Sequence, residues 1–113
     1  MTPDLAATTV AYEITDLVAR AIAALGAEPD RQPQYATGRR AQLDAYDMAV
    51  QLGACDPALP SWVAWYAGRI EQGARRGHLL AAAGRWEEAV SVMGGTRQYA
   101  ADLLAAMQRQ GML

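Results

Sequence analysis

Alanine supplies 25 of the 113 residues, whereas Val and Ile together supply nine. Alanine is the strongest helix former, and the β-branched residues that favour strands are scarce. An all-α fold is therefore expected. The signal is positional as well. Val10, Ile14, Leu17, Val18, Ala21 and Leu25 recur at steps of three and four, the spacing that lines one face of a helix.

Five helical segments follow from this spacing and from the turn residues between them. The first covers about 3–25. Its start, Thr2-Pro3-Asp4, combines a hydroxyl cap, a proline whose missing N–H costs nothing and a carboxylate at the positive end of the dipole. Gly26 and Pro29 stop it. Residues 26–37 hold two prolines and no periodicity, which reads as an internal linker. A second helix is expected at 38–52, with Leu43, Tyr46 and Val50 as its apolar stripe, Gly53 as its terminator and a rigid turn from Cys55 to Pro60.

Ser61 is placed to cap a third helix over 61–77, with Trp62, Trp65, Tyr66 and Ile70 on its apolar side and Leu80 added where the helix carries on to 83. Gly68, Gly73 and Gly77 each weaken a helix interior, so a break or kink is expected near Gly77. A short fourth helix is expected at 85–93, with Glu87 and Glu88 in a first turn that favours acids. Gly94-Gly95 ends it, Gly94 being the residue expected to turn left-handed. Thr96 then caps a fifth helix at 96–110, with Tyr99, Leu103, Leu104 and Met107 inward and Gly111 closing it. The length suits one core, so residues 1–113 are expected to form a single compact bundle of about five helices.

Apolar residues make up 52% of the chain and charged residues 19%, a balance that folds rather than staying disordered. No apolar run approaches the roughly 18–20 residues of a bilayer span, and Met1-Thr2-Pro3-Asp4 lacks the basic start of a signal peptide. A cytoplasmic protein with no membrane partner is expected. Lys, Asn and Phe are absent and all ten basic residues are Arg. This bias fits a GC-rich bacterial or phage genome, and it makes every cation a planar, permanently charged fork. The net charge of −2 is unevenly placed: residues 1–60 hold four Arg against eight acids, and residues 61–113 hold six Arg against four acids.

The groups that catalysis needs are scarce. Cys55 and His78 are the only residues of their kinds, and the two serines, Ser61 and Ser91, fall at a cap and a surface position. A nucleophile needs a base and an orienting partner beside it, so Cys55 with His78 is the sole pairing open to an enzyme. The spacings of helical zinc sites and calcium loops are missing, as are phosphate-cradling glycine loops. The acidic pairs Glu13 and Asp16, Asp44 and Asp47, and Glu87 and Glu88 read as solvated helix faces or dipole compensation. The expectation is no catalytic residue, no metal, no cofactor and no small-molecule substrate.

Two resemblances overlap in the second half. Gly84-Arg85-Trp86-Glu87-Glu88-Ala89-Val90, with Gly77 upstream, resembles the turn and second-helix start of one tetratricopeptide repeat, which implies a helical hairpin. No second copy stands at the 34-residue offset, and Gly73 and Arg76 occupy positions where that repeat carries bulky residues. Residues 86–110 also resemble a helix-turn-helix, with Gly94 as the turn glycine and Thr96-Arg97-Gln98-Tyr99 opening the recognition helix. The final Met107 to Leu113 is similar to the exit of a winged helix. That resemblance implies a DNA-binding regulator in which Arg97 and Gln98 face bases and Arg75, Arg76 and Arg85 face phosphates. Gly95 and Asp102 depart from its pattern.

Trp62, Trp65, Tyr66 and Trp86 admit two readings, as core or as a contact surface. Trp62 and Trp65 stand about 60° apart around a helix with Tyr66 beside both, and Arg69 lies next to that face. Trp, Tyr and Arg are the residues that carry binding energy at interfaces. The expected function is a non-catalytic protein-binding module, an adaptor, regulator or inhibitor of the kind phages and mobile elements carry. It would act through Trp62, Trp65, Tyr66, Arg69 and Trp86 on another protein or on its own copy, a homodimer included. DNA binding through residues 86–110 is the alternative.

Overall fold

A computed structural model describes residues 3–26, 32–54 and 59–112, with side chains from residue 7 in the first helix and from residue 36 in the second. It contains four helices: α1 (Pro3–Leu25), α2 (Gln32–Gly53), α3 (Ser61–Ala82) and α4 (Trp86–Arg109). The all-α class stands, with four helices in place of five. Neighbours pack in a closed ring, α1 on α2, α2 on α3, α3 on α4 and α4 back on α1. The start of α2 lies by the end of α1, where a Cβ on Gly38 would meet Leu25, and Thr8 near the start of α1 donates to the Met112 carbonyl at 3.2 Å. Successive helices therefore run antiparallel. The body measures 45 × 20 × 18 Å, and no helix of the described residues is long and apolar enough to cross a membrane.

The proline and glycine signals for helix ends hold where they are local, whereas the expected Ser61 cap does not form. Pro3 opens α1, while Thr2 lies outside the described residues. Gly84 and Gly111 have φ of +77° and +72°. Each sits one residue past a helix cap and closes the same double hydrogen-bond pattern. Arg85 N–H donates to Leu80 O and Gly84 N–H to Ala81 O, while Met112 N–H donates to Met107 O and Gly111 N–H to Gln108 O. Ser61 is the first residue of α3, after Pro60 as cap, with no side-chain cap bond.

Four expectations are corrected. First, α2 starts at Gln32 and not at 38, so the internal linker is shorter than 26–37. Pro33 falls within its first turn, where a missing N–H breaks no helical bond. Second, α3 continues through Gly77 without a break. A Cβ on Gly77 would stand 2.6 Å from Met93 Sδ, and one on Gly73 would overlap the Thr96 hydroxyl. These glycines bring α3 and α4 together and do not bend α3.

Third, the segments expected at 85–93 and 96–110 are one helix. Neither Gly94 nor Gly95 has positive φ. Thr96 is no cap: it is buried in mid-helix, with its hydroxyl donating to Val92 O at 3.0 Å. Both glycines are exposed, and a Cβ on either would meet nothing within 4 Å. Alanine at each should therefore stabilise the protein by about 0.5–1 kcal/mol through helix propensity. Denaturant midpoints of the two variants check this. A turn at these positions would give losses instead.

Fourth, the inward face of α2 is not the Leu43, Tyr46 and Val50 stripe. Leu43 and Val50 are 39% and 40% exposed, and Tyr46 is half-buried. Ala41, Gln42, Ala45, Ala49 and Leu52 point inward in their place. The reason is the spacing of the helices. Among the described residues, twelve of the 21 buried apolar residues are alanines, and small facing side chains let axes approach toward the short end of the usual range, about 8 Å.

Candidate functional site

One end of α3 leaves a tryptophan in solvent. Trp65 is 51% exposed, and three side chains hold it there. Tyr66 meets it edge-on at 5.0 Å between ring centroids, and Tyr99 from α4 does so at 5.9 Å. The Arg69 guanidinium, one turn along α3, lies 5.2 Å from the centroid of the Trp65 ring. Such a cation over an indole is attracted by the electron-rich ring face.

Beside this cluster α3 and α4 frame a shallow groove of about 220 Å³. Arg69, Gln72 and Arg76 line it from α3, and Val92, Thr96 and Tyr99 from α4, with Gly73 and Gly95 as its bare floor. The same glycine that lets α3 approach Thr96 thus shapes the groove. Both of its charged residues are cations, and neither forms an ion pair within the described residues.

Of the residues expected from sequence, Trp65, Tyr66 and Arg69 come together. Trp62 is half-buried against the core. Trp86 is also half-buried, at the opposite end of the α3–α4 pair, about 30 Å from Trp65 by helix rise. Tyr99, set inward by sequence reasoning, is half-buried against the core and also borders the groove, as does Arg76, which the DNA-binding alternative set on phosphates. The remaining residues of the DNA-binding alternative are dispersed. Arg85 is engaged with Glu88 through bonds of 2.8 and 2.6 Å, and Gln98 donates to Asp102 at 2.9 Å. Arg75 and Arg97 are exposed. With α4 continuous, the helix-turn-helix lacks its turn.

The opposite side of the ring carries a second groove, between α1 and α2, of about 430 Å³. The acidic pairs Glu13 and Asp16, and Asp44 and Asp47, which look like separate solvated faces in the sequence, line it together with Arg20. Asp16 is paired with Arg20 and Asp44 with Arg40. Glu13 and Asp47 have no ion pair within the described residues. No group of three or more His, Cys, Asp or Glu among the described residues could hold a metal ion.

Gln42 is a polar residue that no sequence pattern singled out. It is fully buried, and neither its Oε1 nor its Nε2 has a hydrogen-bond partner. Nearby, His78 on α3 has an unpartnered, buried Nδ1. Cys55 lies outside the described residues, so no geometry joins it to His78.

Burial, and then the positive Arg39 of α2, hold the His78 pKa below the ordinary histidine value. The unfolded chain therefore takes up the proton first. The stability contributed by neutral His78 is present above about pH 6.5 and is lost as pH falls from there toward the folded-state pKa. The melting temperature should fall between about pH 7.5 and pH 5.5, and His78→Leu should flatten that slope. An unchanged slope in the variant would assign it to other groups.

Comparison with protein-family models, with curated proteins and with solved structures finds no match to this chain.

Proposed function

We propose that this protein is a non-catalytic binding module that docks another protein on the Arg and aromatic strip of α3 and α4. The observation that carries the reading is Trp65, half exposed yet pinned by Tyr66, Tyr99 and Arg69. A large indole held in one orientation loses little side-chain freedom on binding, and Trp, Tyr and Arg dominate interface hot spots. Arg69 and Arg76 add a planar, positive rim suited to carboxylates. The neighbouring groove is too shallow to enclose a small molecule, which favours a partner that covers a surface.

Cross-linking and affinity capture from a native lysate test this reading, with the wild type compared with Trp65→Ala and Arg69→Ala. Each variant should reduce retention of the captured partner by tenfold or more, as loss of a hot spot does, while melting within a few degrees of the wild type. Equal retention by all three proteins would overturn it.

A further inference from the structure

We infer that the partner includes a second copy of this chain, and that copies join head-to-tail, the acidic α1/α2 groove of one receiving the Arg69 and Arg76 strip of the next. The inference rests on the α3/α4 strip being a protein-binding surface and adds what fits it. In the ring α1–α2–α3–α4, the α1/α2 and α3/α4 edges lie on opposite sides of the bundle. One groove spans residues 13–20 of α1 and 44–51 of α2 and the other residues 69–76 of α3 and 92–99 of α4, similar lengths that two parallel-sided bodies can bring into register.

The charges complement each other. Arg69, Arg76, Glu13 and Asp47 form no ion pair within the described residues. The guanidinium fork matches a carboxylate through paired N–H donors, so each copy presents the counterions that the other lacks. Like grooves would repel, which disfavours strip-on-strip and acid-on-acid pairs. A side of the bundle measuring 45 by 20 Å is large enough for the roughly 800 Å² per partner that a stable interface buries. Because the two grooves face opposite ways, the contact is heterologous. It does not close on a pair, and the assembly continues as an open series or a ring.

Sedimentation velocity on the full chain tests this, from tens of micromolar to the millimolar range, in about 50 mM and about 500 mM salt. The wild type should exceed dimer mass at low salt and dissociate at high salt. Arg69→Gln with Arg76→Gln removes one side of the contact, and Glu13→Gln with Asp47→Asn removes the other, each by loss of charge so that the two variants do not form a reversed pair. None of these four side chains takes part in an internal ion pair, so circular dichroism should show both variants folded. Each variant alone should stay monomeric, and an equimolar mixture should stop at a one-to-one heterodimer. A wild type that remains monomeric, that stops at a dimer, or that associates regardless of salt overturns the inference. So does a mixture that stays monomeric while the wild type assembles. A monomeric wild type whose Trp65→Ala variant still loses a captured partner would end self-assembly and leave the binding-surface reading standing.

Discussion

Gly77→Leu should destabilise the protein by about 1–3 kcal/mol, the cost of overpacking a filled core. A Cβ at this position would stand 2.6 Å from Met93 Sδ and 2.9 Å from Gln42 Nε2, and Met93 and Gln42 are both fully buried. Replacing glycine inside a helix returns up to about 1 kcal/mol of propensity, too little to offset a branched side chain where even one carbon is crowded. Thermal unfolding should show a loss of several degrees. Met93→Ala costs stability alone but should restore part of it in the Gly77→Leu background, a non-additivity that only contacting residues show. A Gly77→Leu protein melting at or above the wild type would mean that α3 and α4 are not packed at Met93.

Gln42→Met should act in the opposite direction and stabilise by about 1–3 kcal/mol, the usual penalty of a buried polar group left unpaired. The amide is fully buried and both of its polar atoms lack partners. Methionine follows nearly the same unbranched path with no group to satisfy, and its flexibility lets it adapt to the close packing beside Gly77. Denaturant midpoints measure the gain. A loss of stability on this substitution would show that the amide is satisfied in solution, by bound water or by a shift of its neighbours.

The two predictions concern one small region, and neither half of it was legible in the chain. Gly77 looked like a weak point of a helix because propensity counts only the residue's own backbone, whereas Met93 lies across the α3–α4 contact. Gln42 stands between Ala41 and Ala45 in a run whose most apolar members, Leu43 and Val50, are exposed. Hydrophobic spacing alone assigned the wrong face of α2. The candidate site was legible in part. Trp65, Tyr66 and Arg69 share one face by helical spacing, but Tyr99 reaches them from another helix and Trp86 does not.

By itself the sequence determined whatever depends on a few neighbouring residues. The all-α class follows from its alanine content, and the ends of α1 and α4 from Gly26 and Gly111. The local pair of Asp16 with Arg20 follows from one helical turn of spacing. Tertiary structure decided the rest: that α3 runs through Gly77, that α4 runs through Gly94 and Gly95, which face of α2 is buried, and that two acidic pairs meet in one groove. The division has a physical cause. Turn and cap energies are set within one or two turns of chain, whereas the choice of an inward face depends on how closely a neighbouring helix can approach. In this bundle that approach is set by alanines and glycines far apart in sequence.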